Sequence, residues 1–164
     1  MDKKYYLVLD AGTTGVKALV FDSGLNPASQ SYFNLAKSVK GDRVEQNPEE
    51  ILKKSLDAIR AALSEKAISA EEIISFGITN QRETIIAWNK NDGTPASPAI
   101  VWEDKRTGLY CRFVNFFHGK KIRRKTGLRP DSYFSASKIN WLIKNNPAVK
   151  KLLSEKNLAV GTVD

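Results

Sequence analysis

LVLDAGTTGVKALVFD, residues 7–22, is the stretch that decides how the fold begins. Two apolar runs rich in β-forming residues, Tyr5–Leu9 and Val16–Phe21, flank a short turn that contains glycine. This pattern predicts a β-hairpin. Ser29–Leu35 follows a second turn and supplies a third strand. The sequence therefore predicts an antiparallel meander at the N-terminus.

The turn of this hairpin has the composition of an anion-binding loop. Only two residues separate its glycines, so it matches neither the Walker A loop nor the dinucleotide-binding fingerprint. Successive N–H groups in a tight turn form an anion-binding nest, and glycine lets a phosphate approach closely. The candidate ligands are Asp10, Gly12, Thr13, Thr14, Gly15 and Lys17, with the Asp10 carboxylate as the candidate for Mg²⁺. Glycine and threonine are also common in hairpin turns that bind nothing, so both interpretations stay open here.

Helical and extended patterns alternate along the rest of the chain. Asn47 and Pro48 are a good N-cap and first position for a helix, whose apolar stripe is Leu52, Leu56, Ile59 and Leu63. Four strands are predicted, at Ile73–Thr79, Thr84–Trp88, near Ala99–Trp102 and at Leu158–Val163. The second of them is either the hairpin partner of the first or its successor in the sheet. From Lys105 onwards the pattern predicts helices, one capped by Ser135 and another that starts at Asn146-Pro147. This order indicates a mixed α/β domain.

Composition excludes several classes of protein. The single cysteine, Cys111, rules out an internal disulfide and fits a reducing cytosol, so we expect a cytoplasmic protein. No apolar stretch approaches the length of a membrane-spanning helix, so no membrane partner is expected.

The excess positive charge lies mainly between Asp104 and Asp131. Nine basic residues and two acids fall in this segment, which gives it a charge of +7 of the chain's +8. A basic cluster of this kind can meet nucleic acid, an acidic partner or an anionic ligand. No aromatic pattern of an RNA-binding module and no zinc-finger spacing accompanies it. We therefore interpret the segment as a solvated helical face and expect no nucleic-acid partner.

A second polar motif interrupts the strands between Gly77 and Lys90. Asn80-Gln81-Arg82-Glu83-Thr84 follows a predicted strand and precedes another β-rich run. The adjacent Arg82 and Glu83 are either a surface ion pair of little energetic consequence or a donor and an acceptor for neighbouring hydroxyls of a polyol. Spacing alone does not decide between them.

Several motifs occur together in one order and resemble a known family. They are the Asp10-x-Gly12-Thr13-Thr14 hairpin, Gly77 to Thr84, Ala99-Ile100-Val101-Trp102-x-Asp104-x-Arg106-Thr107, Thr126-Gly127-Leu128, and Tyr133-Phe134-Ser135-Ala136-x-Lys138-Ile139-x-Trp141. Together they resemble the N-terminal part of the glycerol kinases, in the FGGY family of carbohydrate kinases and the actin-like ATPase superfamily. The resemblance implies an actin-like, ribonuclease H-like α/β domain whose mixed sheet is flanked by helices and is incomplete.

The resemblance also implies residue roles. Thr13, Thr14, Gly15 and Lys17 would lie along the phosphates of ATP, with Asp10 near Mg²⁺. Arg82 and Glu83 would bind the hydroxyls of glycerol, Tyr133 would add a phenolic hydroxyl, and Trp102 would pack against the carbon chain. Two positions depart from the family pattern: Lys17 replaces a usual arginine, and Glu103 replaces a usual glutamine and adds a negative charge near the site.

The resemblance further implies that residues 1–164 are the N-terminal part of domain I, without the second domain. The catalytic base is expected beyond Asp164, so this chain alone is expected to be inactive. An exposed sheet edge or apolar face is expected to make it form a homo-oligomer. Alternatives are a kinase for another sugar or polyol, a ribonuclease H-like nucleic-acid-processing domain, and a non-catalytic interaction domain.

Overall fold

The computed structural model describes residues 4–164, and the chain forms two compact units. Unit 1 contains the residues up to 36 with residues 47–81 and 163–164, and unit 2 contains residues 37–46 and 82–162. In chain order the elements are β1 (Tyr5–Ala11), β2 (Gly15–Asp22), β3 (Pro27–Asn34), β4 (Ser38–Lys40), β5 (Arg43–Gln46), α1 (Pro48–Glu65), a 3₁₀ turn (Ala70–Glu72), β6 (Ile73–Asn80), β7 (Ile86–Asn89), β8 (Ala99–Ile100), α2 (Gly108–Thr126), α3 (Ser135–Asn145), α4 (Pro147–Ser154) and β9 (Leu158–Gly161).

Unit 1 is a four-stranded mixed sheet with one packed helix. The strand order is β3-β2-β1-β6, in which β1, β2 and β3 are antiparallel neighbours and β6 is parallel to β1. The predicted meander and mixed sheet are therefore confirmed. The hairpin alternative for residues 84–88 is wrong, because β6 pairs with β1 whereas β7 pairs with β9.

Helix α1 begins where the sequence predicts, but its buried face differs from the predicted stripe. The Asn47 side chain accepts a hydrogen bond from Glu49 N at 2.9 Å, and Pro48 occupies the first turn. The residues that α1 buries are Ile51, Ser55, Ala58 and Ala62, whereas Leu52 is 63% exposed and Leu56 is also exposed. The physical reason lies in β3. The hydroxyls of Ser29 and Ser31 donate to the carbonyls of Ala62 and Ala58, both at 2.6 Å, and this close approach requires small helix residues.

Unit 2 contains two small sheets and three helices. The sheets are β4-β5-β8 and β7-β9, joined by the bridge between Ile85 and Ile100. The core of this unit is formed by Ile85, Ala87, Ile100, Leu142 and Val149. Strands β4 and β5 have no counterpart in the predicted elements, because they are short and mostly polar.

Two further features bear on function. Strand β6 ends the sheet of unit 1, and its apolar side chains Ile74, Phe76 and Ile78 are each about half exposed. Among residues 4–164, no helix combines the length and apolar character needed to cross a membrane.

Candidate functional site

The glycine–threonine turn in unit 1 connects β1 to β2. Their register ends at the Ala11–Val16 pair, so the four residues between them lie outside the ladder of the hairpin. Thr14 O accepts a hydrogen bond from Leu35 N at 3.0 Å, which ties the turn to the end of β3. Thr14 is exposed, while Gly12 and Thr13 are partly exposed. The turn is thus fixed at its base and open to solvent.

Gly15 is required by a close approach of the neighbouring strand. A Cβ atom at this position would lie 2.3 Å from the Tyr32 hydroxyl oxygen and 2.7 Å from the Phe33 carbonyl oxygen. Such distances are far below van der Waals contact, and the second involves backbone that cannot move independently. The second glycine of the loop is therefore explained by packing alone, without any ligand.

Asp10 and Lys17 face each other across the same hairpin. They are directly paired in the antiparallel register of β1 and β2. Asp10 is exposed, and within residues 4–164 its carboxylate takes part in no hydrogen bond or ion pair. No group of three or more His, Cys, Asp or Glu side chains in the described part of the chain is placed to hold a metal ion. Asp10 is then a single carboxylate that would bind Mg²⁺ together with ligands from outside these residues.

In unit 2, Glu83 is held in an unusual backbone conformation. Its φ angle is +63°, in the left-handed region that non-glycine residues rarely adopt. The Glu83 carboxylate accepts hydrogen bonds from Ser135 N at 2.7 Å and from the Ser135 hydroxyl at 2.6 Å. Strained residues of this kind persist only where their surroundings hold them, and they concentrate at functional sites.

This arrangement corrects the predicted role of Ser135. Phe134 is the N-cap of α3 and provides no side-chain hydrogen bond, and Ser135 is the first helical residue. The free N–H at the start of α3 is instead satisfied by Glu83, which lies 52 residues earlier in the chain. A carboxylate at a helix N-terminus is stabilised by the helix dipole. Glu83 is therefore oriented by α3.

Lys138 joins Glu83 to Tyr133 through their backbones. Its ammonium group donates to Glu83 O at 2.9 Å and to Tyr133 O at 2.8 Å, and the side chain is fully buried. Burial lowers the pKa of Lys138 to about 8, and the nearby carboxylates of Asp104 and Glu83 oppose this shift. Lys138 thus fixes the relative position of two of the predicted polyol-binding residues.

An aromatic wall lies beside these polar groups. The rings of Trp102 and Tyr133 meet edge to face, with centroids 6.0 Å apart, and Tyr133 contacts Phe134 in the same manner at 5.2 Å. Trp102 N donates to the buried Thr84 hydroxyl at 3.2 Å. Glu83, Trp102 and Tyr133 therefore belong to one connected cluster, although Glu83 and Trp102 line different cavities of about 500 and 430 Å³.

The fourth predicted residue, Arg82, stands apart from this network. Its side chain is exposed, and it forms no ion pair with Glu83 or any other carboxylate of residues 4–164. The alternative of a surface ion pair between Arg82 and Glu83 is thereby excluded for the described residues. Glu103 is neutralised by Lys37, whose ammonium lies 2.6 Å from the carboxylate.

A buried ionic network supports the segment that carries Trp102. Asp104 is almost fully buried and accepts from Val44 N at 2.7 Å. The Arg106 guanidinium donates to both Asp104 oxygens at 2.8 and 2.9 Å and to Glu45 at 2.6 Å. Burial opposes the charge of Arg106, but these hydrogen bonds dominate and raise its pKa. The same guanidinium lies over the Trp141 ring, 4.6 Å from its centroid.

Sequence patterns alone assigned no role to Lys138, Asp104 or Arg106. One signal was available for Lys138, since it precedes Leu142 by one helical turn and so lies on the buried face of α3. A lysine on an apolar helix face indicates a specific internal partner. The partners themselves, 55 and 5 residues away, could not be read from the sequence.

The chain thus combines a glycine–threonine hairpin that opens a mixed sheet with a polar and aromatic cluster later in the chain. The model of the N-terminal domain of the FGGY family of carbohydrate kinases matches residues 5–162. This chain belongs to that family.

Individual relatives agree with this assignment. The chain is 43% identical to the glycerol kinase of Mycoplasma genitalium and 40% identical to that of Saccharolobus islandicus. Both alignments cover the whole of this chain, but only 33% of the first relative and 32% of the second. A crystal structure of Plasmodium falciparum glycerol kinase with ADP superimposes with a TM-score of 0.88 at 30% identity, covering 98% of this chain and 33% of that one. The chain thus spans about a third of the length of the relatives it matches.

Proposed function

We propose that this chain forms the N-terminal part of domain I of an ATP-dependent glycerol kinase, which transfers the terminal phosphate of ATP to glycerol. The observation that carries this proposal is the cluster in which Lys138 ties Glu83 to Tyr133 beside Trp102. A polyol site needs fixed polar partners for hydroxyl groups and an apolar wall for CH groups, and this cluster contains both. We assign no catalytic base among the residues of this chain.

In the proposed site, Glu83 accepts a hydrogen bond from a glycerol hydroxyl. Both bonds from Ser135 end on Oε2, so Oε1 remains as the acceptor for the substrate. Arg82 supplies donors from an exposed guanidinium, and Tyr133 supplies its hydroxyl. The Lys37 ion pair offsets the negative charge that Glu103 would otherwise add beside Trp102, so this departure from the family pattern adds no uncompensated charge to the proposed site.

In the proposed nucleotide site, residues 12–15 and Lys17 contact the phosphates of ATP. The loop is open at the end of the hairpin and fixed at its base, which suits a phosphate nest. Asp10 would contribute one carboxylate to Mg²⁺, and the metal would supply positive charge that offsets the charge of the phosphates. This chain's residues hold the phosphates and the metal, while the nucleotide supplies the transferred group.

Direct binding tests the polyol assignment. Ligand-observed NMR on the 164-residue chain should detect glycerol, with weaker signals from propane-1,2-diol and xylulose. Glu83→Gln keeps an acceptor for Ser135 but removes the charge, so glycerol should bind about tenfold more weakly. Glu155→Gln, on an exposed side chain after α4, is the matched control and should bind normally. Equal binding of all three ligands, or no effect of Glu83→Gln, would contradict the assignment.

The nuclease alternative has no support in the described residues. Two-metal chemistry requires several converging carboxylates, and no such group exists among residues 4–164. A kinase for another polyol remains the second candidate because it would use the same cluster. Stronger binding of xylulose than of glycerol in the NMR experiment would favour it.

A further inference from the structure

The exposed face of α2 has an unusual composition that the kinase function does not use. Leu109, Phe113, Phe116 and Phe117 are between 60% and 82% exposed. The Phe117 ring contacts both of the other phenylalanine rings, with its centroid 4.7 Å from that of Phe113 and 4.9 Å from that of Phe116. They form an aromatic cluster that packs on itself at the surface. Clusters of exposed large apolar side chains mark interaction surfaces.

The same helix is strongly basic. From Gly108 to Thr126 it contains six basic residues and no acid, and the six are Arg112, Lys120, Lys121, Arg123, Arg124 and Lys125. None of the six takes part in an ion pair with a carboxylate of residues 4–164. The cations of α2 are therefore available to an anionic partner.

The apolar and basic residues share one face of the helix. Leu109, Phe113, Phe116, Lys120 and Arg123 follow each other at steps of four, three, four and three residues, and this spacing places them in a single stripe. The first half of the stripe is apolar and the second half is cationic. A partner must accept both aromatic rings and cations along one convex helix.

Two kinds of partner fit this stripe poorly. A second copy of this chain paired through α2 would bring twelve cations of the two helices and no acid of α2 into one interface, and like charges at an interface are repulsive. Single-stranded nucleic acid binds where aromatic rings and cations are interleaved along a groove. In α2 the rings and the cations are separated along a convex helix.

We propose that α2 is a docking surface for an anionic phospholipid bilayer. Leu109, Phe113 and Phe116 enter the boundary between headgroups and acyl chains, and the cations of the second half contact lipid phosphates. Apolar insertion combined with a basic cluster is the composition of helices that lie in the membrane interface. This mode needs no spanning segment. It therefore departs from the expectation of no membrane partner, which rested only on the lack of such a segment, and it is independent of the proposed kinase activity.

Vesicle co-sedimentation of the 164-residue chain tests the proposal. Binding to vesicles of phosphatidylcholine with 30% phosphatidylglycerol should exceed binding to pure phosphatidylcholine by about tenfold at low salt and should fall as salt is raised. Phe113→Ser combined with Phe116→Ser should weaken binding to the anionic vesicles by about tenfold, because both rings lose their insertion. Leu52→Ser, at an equally exposed site on α1, is the matched control and should bind like the wild type.

A charge series provides the second arm. Lys120→Glu with Arg123→Glu should abolish the preference for anionic vesicles, whereas Lys66→Glu with Lys150→Glu changes the net charge equally at exposed sites outside α2 and should largely keep it. Circular dichroism of each variant shows whether it remains folded, and Phe116→Trp should shift its fluorescence to the blue on anionic vesicles without removing an apolar side chain. Absence of vesicle binding, equal loss in both charge pairs, or binding that ignores the phenylalanines would each overturn the proposal. The last result would indicate a simple polycation.

Discussion

Lys138→Met is the perturbation that tests the buried network most directly. Methionine has nearly the length of the lysine side chain but no donor, so Glu83 O and Tyr133 O lose their partners. An unsatisfied buried carbonyl costs about 1–3 kcal/mol. The substitution also removes a buried ammonium whose pKa is lowered from 10.5 to about 8. A pKa shift of this size corresponds to about 3 kcal/mol, which local relaxation around the buried charge reduces to about 2 kcal/mol.

These opposing contributions predict a pH-dependent result. Between pH 8 and 10.5 the unfolded chain binds more protons at Lys138 than the folded chain does, so the contribution of Lys138 to the stability of the wild type rises with pH through this window. The neutral amine still donates to both carbonyls. We therefore expect Lys138→Met to lower the free energy of unfolding by about 1–2 kcal/mol at pH 7 and by about 3 kcal/mol at pH 10.

Urea unfolding followed by tryptophan fluorescence provides the assay. All three tryptophans, Trp88, Trp102 and Trp141, lie in unit 2 together with Lys138, so the signal reports this unit. The difference between variant and wild type at each pH cancels other titrating groups. Lys150→Met removes an exposed lysine and should give a difference near zero at every pH. A Lys138→Met difference that stays constant or shrinks as the pH rises would refute the charged, desolvated state of this lysine.

Four further substitutions test three other features, each by thermal or urea unfolding. Gly15→Ala should destabilise the chain by about 1–3 kcal/mol or more, because its Cβ would meet the Tyr32 hydroxyl oxygen at 2.3 Å; an unchanged melting temperature would contradict the packing role. Arg106→Lys should cost about 2–3 kcal/mol because lysine cannot form the bidentate bonds to Asp104, and a neutral effect would show that the charge alone suffices. On α1, Leu52→Asn should change stability by less than about 0.5 kcal/mol, while Ala58→Leu should destabilise by about 1–3 kcal/mol. A larger loss of stability from Leu52→Asn than from Ala58→Leu would show that α1 buries its leucine face instead.

Local sequence patterns predicted the elements well where short-range chemistry determines them. The hairpin of β1 and β2 follows from two β-rich runs around a glycine turn, and the start of α1 follows from Asn47 and Pro48. The buried face of α1 was mispredicted because it depends on Ser29 and Ser31, which lie on another element. Leucine spacing carries no information about such a partner.

In the candidate site too, local sequence motifs predicted some features, and long-range contacts determine the others. Glu83, Trp102 and Tyr133 were named from motifs, and the structure places them in one cluster; their proposed roles are still predictions. The left-handed backbone of Glu83 and its bond to α3 could not be predicted, because both arise from contacts more than fifty residues apart in the chain. Long-range hydrogen bonds leave no periodic signal in the sequence.

The position of Glu83 at the start of α3 has a consequence for how this site could change during evolution. The carboxylate that we propose for substrate selection also caps the N-terminus of α3, and its residue has a strained backbone conformation. A mutation of Glu83 that alters substrate preference would therefore also lower the stability of the fold. New specificities in this lineage should therefore arise first at neighbouring positions such as Arg82, whose side chain caps no helix within the described residues. We expect Glu83 and Ser135 to be replaced only together, because they are hydrogen-bonded to each other.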